Sequence, residues 1–262
     1  MDNSKFNIFE AVKNAYLFIG REWPYLLKAG ALPVAAQICT SLFIQFQRAD
    51  ASLIENYLWG MPATLLFAWF AFLEMRLLLL GEQLDRLPQD LQYLGERQRS
   101  MRLAVIISLL FNMGVSASVA VLLAAVDSAQ WGAEWTVTLG GVIIIGAIFW
   151  GVRFGALPVL AAVNYPFRPF LQQVRGLMFS LRLVSMGLVC IFPVAFLFQI
   201  FTAALIGGAA DPSGPLKLTA MDQVAIIVAT APLSLLVVAL LNAAMAYALK
   251  QILGSRRDGV TA

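Results

Sequence analysis

Six long stretches of mostly apolar residues constrain this chain more than any other feature of its sequence. Each is 23 to 29 residues long and contains at most two charged side chains. About 20 apolar residues in an α-helix cross the hydrocarbon core of a bilayer, and a helix satisfies its own backbone hydrogen bonds there. The stretches cover residues 25–47, 57–81, 103–126, 135–163, 183–207 and 223–250. They predict an all-α polytopic membrane protein, a bundle of about six transmembrane helices that forms one domain over residues 1–262.

The overall composition supports membrane insertion. Hydrophobic residues make up 60% of the chain and charged residues 13%, and the mean hydropathy is +0.80. Soluble domains are about half apolar and about a quarter charged, so a chain of 262 residues has too much apolar surface to bury in one core. The net charge of +3 and the pI of about 9.0 come from basic residues between the apolar stretches. That placement indicates membrane orientation rather than a nucleic-acid partner.

The distribution of basic residues predicts how the chain is oriented. Of its 18 Lys and Arg residues, 16 lie at one end of the predicted bundle, and only Arg48 and Lys217 lie at the other. Basic segments are retained on the cytoplasmic side of a membrane. Because the predicted number of spans is even, we expect both the N-terminus and the C-terminus to be cytoplasmic.

Three amphipathic segments accompany the predicted spans, at residues 6–20, 84–97 and 168–180. Each places apolar residues on one helical face and polar residues on the other. Asn7 and Glu10 form the pattern of a capping box at the start of the first segment. We predict three helices that lie along the cytoplasmic surface of the membrane. Two interpretations stay open, because such helices either bind lipid headgroups or cover the ends of the bundle itself.

Two charged residues inside predicted spans, Glu74 and Arg153, are the main candidates for a functional site. A charge at the centre of a membrane helix costs at least about 2.5 kcal/mol on insertion scales, so such residues are usually paired or functional. Glu74 lies seven residues before the end of its span and Arg153 ten residues before the end of its own. Their similar depths predict an interhelical ion pair, which either joins two helices or couples a proton or ion to transport.

The fourth span carries a packing motif and a proline. Ala147, Gly151 and Gly155 recur at intervals of four residues, which is the small-residue pattern that lets another helix approach closely. Pro158 follows, and we predict that it kinks or ends the span, because proline cannot donate the next helical hydrogen bond.

The sequence lacks the usual signs of an enzyme. There is no histidine, which removes the commonest general base and metal ligand. Phosphate-binding loops, dinucleotide-binding motifs, zinc motifs and the serine-hydrolase elbow are also absent from the sequence. Cys39 and Cys190 both fall inside apolar stretches, where packing is the expected role. We therefore predict no catalytic residues, no metal and no cofactor.

Two segments resemble a known group of bacterial membrane proteins. Residues 153–185, RFGALPVLAAVNYPFRPFLQQVRGLMFSLRLVS, and residues 9–27, FEAVKNAYLFIGREWPYLL, look like uncharacterised six-span proteins of the YciC-like type. These are similar to the membrane domain of some glycerophosphodiester phosphodiesterases. Arg153, Pro158, Arg175 and Ser180 match the pattern in kind. The resemblance implies a multi-pass protein of the bacterial inner membrane with no known catalytic residues. The chain contains no phosphodiesterase domain, so that activity is not implied.

These observations lead to one predicted function and two alternatives. The prediction is a membrane accessory, scaffold or lipid-interacting protein without enzymatic activity. Its expected partners are membrane lipids and a membrane protein or a second copy of the chain, with no nucleic acid. The first alternative is a small transporter or channel component that uses Glu74 and Arg153. The second is a lipid-modifying enzyme. A hydrated cavity that reaches Glu74 from the cytoplasm would favour transport, and a dry, closed bundle with an exposed apolar groove would favour lipid binding or assembly.

Overall fold

The computed structural model describes residues 6–47, 53–88, 90–127, 138, 140–142, 146, 151–173, 177–207 and 219–254. Within these residues the chain is helical, with short turns between helices and no β-strand. The helices, in chain order, are α1 (Ile8–Gln47), α2 (Leu53–Leu80), a 3₁₀ turn (Leu84–Arg86), α3 (Leu91–Asp127), α4 (Val152–Phe154), α5 (Leu157–Ala162), α6 (Phe167–Gln173), α7 (Leu177–Gly207) and α8 (Ala220–Gly254).

Five of these helices are long and apolar enough to cross a membrane. They are α1, α2, α3, α7 and α8, and their most apolar segments have mean hydropathies between 1.5 and 2.7. The all-helical, multi-pass membrane fold predicted from the sequence is therefore confirmed. The fourth predicted span, 135–163, lies partly outside the described residues, so the total of six spans stays a prediction.

The amphipathic segments are arranged differently from the prediction. Residues 8–20 and the first span form one continuous helix, α1, of 40 residues, or about 60 Å at 1.5 Å per residue. The second segment is a 3₁₀ turn followed by the start of α3. The described residues of the third segment belong to α6 and to the start of α7. The second segment continues into the third span as α3 because neither glycine nor proline separates residues 97 and 103. The first segment continues into the first span because α1 accommodates Pro24.

The start of α1 packs against protein. Asn7 Oδ1 accepts a hydrogen bond from the Glu10 backbone at 3.2 Å, as the capping pattern predicts, while the Asn7 backbone donates to Gln251 Oε1 at 2.7 Å. Phe6 lies edge-to-face against Phe179 of α7, with ring centroids 6.1 Å apart. This first segment therefore covers the ends of α7 and α8, although the outward side chain of Phe9 is 75% exposed.

Helix α8 lies at the centre of the described bundle and contacts α1, α2, α5 and α7. Its buried face consists largely of small residues, among them Ala231, Ala239, Ala243 and Ala246. Small side chains let membrane helices approach closely and so gain van der Waals contact. Gly30 of α1 lies where α1 and α8 approach closely, because a Cβ atom at that position would collide with the Leu235 side chain.

The helix pairs α1–α8 and α2–α3 run antiparallel, so the start of one helix lies beside the end of its partner at the same end of the bundle. The start of α1 contacts the end of α8 through Asn7 and Gln251, and the end of α2 contacts the start of α3 through Glu82 and Arg97. We call this the basic end, because it is the end that holds most of the arginine and lysine residues.

Candidate functional site

A cavity of about 590 Å³ lies between α1, α2, α3, α5 and α8. Along α2 its lining extends from Gly60 to Met75, 15 residues that correspond to about 22 Å of helix. The hydrocarbon core is about 30 Å thick. The cavity therefore follows α2 through most of the membrane-spanning part of the bundle.

The cavity wall mixes apolar side chains with polar ones. The polar lining residues are Gln37, Thr40, Ser41, Thr64, Ser108, Asn112, Ser234 and Asn242. Polar groups in lipid-facing positions are unfavourable, whereas polar groups around an internal cavity can bind water or a solute. None of the lining residues that the structure describes carries a formal charge, so the polar chemistry of this part of the wall is that of hydroxyl and amide groups.

Glu74 lies one hydrogen bond away from this cavity. Its side chain is buried, with the residue 1% exposed, and its Oε2 accepts a hydrogen bond from Asn242 Nδ2 at 3.2 Å. Asn242 in turn lines the cavity. The second carboxyl oxygen, Glu74 Oε1, is buried without a hydrogen-bond partner. A buried polar atom without a partner costs free energy, and in a native protein it calls for an explanation.

The structure does not bring Glu74 and Arg153 together as an ion pair. Arg153 Nε donates to Ser180 Oγ at 2.9 Å, and Glu74 bonds to Asn242 instead. The physical reason is the packing of the helices that carry them. Arg153 lies on α4, which contacts α7, whereas Glu74 lies on α2, which packs against α8.

A second polar site lies at the basic end. Glu82 accepts hydrogen bonds from three side chains, and we call Arg76, Glu82, Tyr93 and Arg97 the Glu82 cluster. Arg76 Nε and Tyr93 Oη each lie 2.5 Å from Glu82 Oε2, and Arg97 Nε lies 2.5 Å from Glu82 Oε1. Arg76 Nη1 also donates to the carbonyl of Ala162 at 2.8 Å. The cluster therefore joins the ends of α2 and α5 to the start of α3.

The Glu82 cluster is nearly excluded from solvent. The side chains of Arg76 and Glu82 are each 5% exposed and that of Arg97 is 14% exposed. Burial raises the pKa of Glu82, but the hydrogen bonds from Arg97, Tyr93 and Arg76 lower it further, so the pKa lies below its ordinary value. Ionised Glu82 compensates one of two guanidinium charges, which leaves these three ionised side chains with one net positive charge.

Phe72 connects the Glu82 cluster to the cavity. Its ring lines the cavity, and the guanidinium carbons of Arg76 and Arg97 lie 5.6 Å and 5.5 Å from its centroid. These distances are within the range of cation–π attraction. The cluster therefore lies directly behind one wall of the cavity at the basic end.

Two residues with left-handed backbone conformation, Gly81 and Asn164, end helices at the basic end. Gly81 has a φ of +69°, and its N–H bonds to the Leu77 carbonyl at 3.0 Å, which ends α2 in the αL motif and turns the chain so that Glu82 reaches back to Arg76. Asn164, with a φ of 56°, ends α5 in the same region. Its side-chain oxygen accepts a hydrogen bond from Ser100 Oγ of α3 at 2.6 Å.

The motif of the fourth span is only partly described. Ala147 lies outside the described residues. Gly151 immediately precedes α4, and the chain leaves regular helix at Gly155 and Ala156, before Pro158 enters α5 near its start. The interruption of regular helix at Gly155 and Ala156 thus lies two to three residues before the proline. Gly155 and Pro158 both line the cavity, so the interruption forms part of its wall.

The sequence interpretation missed most partners in both sites. It did not single out Gln37, Glu82 or Asn242, although Gln37 and Asn242 are isolated amide residues within apolar stretches, which is a recognised signal for helix contacts in membranes. Among the residues that the structure describes, no group of His, Cys, Asp and Glu could hold a metal ion. Cys39 and Cys190 are free thiols, the first exposed and the second buried.

Comparisons with protein-family models, with curated proteins and with solved structures find no match to this chain.

Proposed function

We propose that this protein is a small membrane transporter or channel component that binds a polar solute in the cavity between α1, α2, α3, α5 and α8. The observation that carries the proposal is the cavity of about 590 Å³ between the helices of the bundle, whose wall combines apolar side chains with hydroxyl and amide groups. Pockets that bind small molecules are typically about 300–1,000 Å³. A bundle that served only as a scaffold would gain stability by filling such a space with packed apolar side chains.

The position of the cavity supports movement of a solute across the membrane. Its lining follows α2 for most of the membrane thickness, from Gly60 to Met75. The interrupted segment between α4 and α5 contributes Gly155 and Pro158 to the wall, and irregular backbone at membrane depth is tolerated where it lines a cavity. Membrane transporters use such interrupted helices to build solute sites.

The Glu82 cluster is the proposed barrier at the basic end. It links α2, α3 and α5 behind Phe72, so a solute leaving at that end must displace this linked group. In the transport cycle we propose, the cluster holds the basic end closed while the cavity is occupied from the opposite end. Separation of α2 from α3 would open the basic end.

Reaction of single cysteines with a water-soluble thiol reagent tests whether the cavity is hydrated. The background is Cys39→Ser, which removes the exposed thiol, with the buried Cys190 retained. Ser108→Cys places a thiol on the cavity wall. Ile106→Cys is the matched control, because Ile106 lies on the same helix and is 53% exposed outside the cavity lining.

The expected result is fast reaction of Cys at position 108 with a charged methanethiosulfonate in native membranes, and slow reaction at position 106. The thiolate is the reacting species and forms only where water reaches the sulfur. Equal, slow reaction at both positions would contradict a hydrated cavity and with it the proposed function.

A second candidate function is lipid interaction as a membrane accessory protein. The observation in its favour is the set of large apolar side chains that remain exposed near the starts of helices at the basic end: Phe9 (75%), Leu91 (85%), Leu177 (51%) and Met178 (73%). Such residues suit the headgroup boundary of a bilayer. Mass spectrometry of the protein purified in native lipid distinguishes the two functions, because specifically retained phospholipid supports this one and a small polar solute supports transport.

We further propose that the protein lies in the bacterial inner membrane with the basic end and both termini in the cytoplasm. The support is the distribution of 16 of 18 basic residues and the resemblance to YciC-like proteins. A reporter fused after Ala262 that is active only in the cytoplasm tests the orientation. The absence of enzymatic activity, partnership with another membrane protein or a second copy, and membership of the YciC-like group stay predictions.

A further inference from the structure

Two hydroxyl groups of the cavity wall, those of Thr64 and Ser234, donate their hydrogen atoms to backbone carbonyls of their own helices. Thr64 Oγ1 donates to the carbonyl of Gly60 at 3.1 Å, and Ser234 Oγ donates to the carbonyl of Thr230 at 3.0 Å. A hydroxyl has one donor hydrogen and two acceptor lone pairs. Bonded in this way to their own helices, these two side chains offer the cavity acceptors and no donor.

The amide side chains of Gln37 and Asn242 also contribute to the cavity wall. Gln37 Nε2 donates to Ser234 Oγ at 3.3 Å, while Gln37 Oε1 is buried without a hydrogen-bond partner. Asn242 Nδ2 donates to Glu74 Oε2, so the oxygen of this amide points away from Glu74. An oxygen without a partner accepts hydrogen bonds only. Gln37 Oε1 therefore adds acceptor capacity to the cavity, and each amide also keeps a second N–H donor.

An acidic residue, Glu74, lies beside the cavity and is bonded to the lining residue Asn242. Glu74 is 1% exposed. Within the described part of the chain its Oε1 has no hydrogen-bond partner, and no Lys or Arg is among the lining residues. Arg76 and Arg97, which lie behind the Phe72 ring, are bound to Glu82. A ligand that brings donors and positive charge would satisfy Glu74 Oε1, whereas an anion brings neither to this oxygen.

From this polarity we infer that the cavity binds a small organic cation with an ammonium group, held near Glu74 and Asn242. The inference rests on the proposed function and names its substrate class. Ser234 and Asn242 lie eight residues apart on α8, about 12 Å along its axis. The two acceptors therefore lie at separated points, because Gln37 is bonded to Ser234 and Glu74 to Asn242. A short linear molecule with a donor at each end fits both.

Binding of three small probes to the purified full chain tests the ligand class. The first probe is 1,4-diaminobutane at pH 7.5, which has a positive charge and N–H donors. The second is 1,4-butanediol, which has donors and no charge. The third is tetramethylammonium, which has charge and no N–H group. We expect 1,4-diaminobutane to raise the melting temperature in detergent in a saturable way, and the other two probes to require at least about tenfold higher concentrations.

Variants locate the binding to Glu74. Glu74→Gln keeps an acceptor but removes the acid, and we expect the apparent affinity for 1,4-diaminobutane to fall at least about tenfold. Glu55→Gln is the matched control, because it makes the same change near the other end of α2, and we expect less than about a twofold change. Gln37→Leu removes the second acceptor and serves if Glu74→Gln does not fold.

The outcomes separate this inference from the proposed function. Equal effects of 1,4-diaminobutane and 1,4-butanediol, or unchanged affinity in both Glu74→Gln and Gln37→Leu, would overturn the cationic ligand class. If no amine binds while the thiol at position 108 reacts rapidly, the cavity is hydrated and only the ligand class is wrong. If no amine binds and that thiol is also unreactive, the proposed function fails as well.

Discussion

Arg76 and Glu82 lie six residues apart on the two sides of a helix end, and Arg76 Nε is 2.5 Å from Glu82 Oε2. The contact is possible because Gly81 adopts a left-handed conformation, which reverses the chain just after α2. Tyr93 and Arg97 of α3 complete the group. The turn at Gly81 therefore lets Glu82 link α2 to α3.

Replacement of Glu82 is expected to destabilise the protein. Glu82→Gln leaves two nearly buried arginines without their anion, and breaking a buried ion pair by removing one partner costs about 3–5 kcal/mol. We expect a loss of about 3 kcal/mol, measured by reversible unfolding in mixed micelles. Glu96→Gln, an exposed position on α3, is the control and should change little. Similar unfolding free energies for the two variants would contradict the cluster as described.

The stability contributed by Glu82 is expected to depend on pH. The pKa of Glu82 in the folded protein lies below its ordinary value of 4.5, so the unfolded state binds a proton at higher pH than the folded state. This contribution is therefore complete above about pH 4.5 and is lost as the pH falls through the lower folded pKa. Melting temperatures of the wild type and Glu82→Gln should converge on acidification below pH 4.5. A constant difference across that range would argue against an ionised, hydrogen-bonded Glu82.

Gly81 and Gly95 are expected to respond in opposite directions to alanine. Gly81 has a φ of +69°, where an L-residue costs about 1–2 kcal/mol, so Gly81→Ala should destabilise the protein by about that amount. Gly95 lies within α3 with open space around it. Gly95→Ala should stabilise by about 0.5–1 kcal/mol, because alanine loses less backbone entropy in a helix. Destabilisation of equal size in both variants would show that the turn at Gly81 is not left-handed.

The close approach of α1 and α8 at Gly30 is expected to reject a larger side chain. Gly30→Val forces β-branched bulk against Leu235, and overpacking of this kind typically costs about 1–3 kcal/mol. Gly20→Val makes the same change on the same helix, at a position where an added Cβ atom would have no atom of another helix within 4 Å. We expect a lower melting temperature for Gly30→Val than for Gly20→Val, and equal melting temperatures would contradict the packing of α1 on α8 at Leu235.

Glu74 and Arg153 are expected to contribute independently to stability. Each bonds to a different residue, Asn242 and Ser180, so a double-mutant cycle of Glu74→Gln and Arg153→Met should give a coupling energy below about 0.5 kcal/mol. The cycle of Glu82→Gln and Arg76→Met serves as the positive control, with a coupling of about 1–3 kcal/mol. A comparably large coupling between Glu74 and Arg153 would restore the ion pair predicted from the sequence.

The sequence was sufficient to predict the class of fold. Long apolar stretches have to be solvated by lipid, and a backbone in lipid has to be helical, so the positions of α2, α3, α7 and α8 follow from composition and length alone. The capping of α1 by Asn7 is also local, because it depends on residues three positions apart. The ends of helices were harder to predict, because an amphipathic segment and an apolar segment join into one helix wherever no residue interrupts them.

The partners of the charged residues depended on the tertiary structure. Depth along a helix can be estimated from sequence, and it suggested Arg153 as the partner of Glu74. The direction in which Glu74 points is fixed by the packing of α2 on α8, which brings Asn242 to it from 168 positions away. In the same way the cavity exists only where five helices fail to fill the space between them. Hydrophobicity and helix geometry act along the chain, whereas the pairing of side chains depends on how separate helices are rotated and packed against each other.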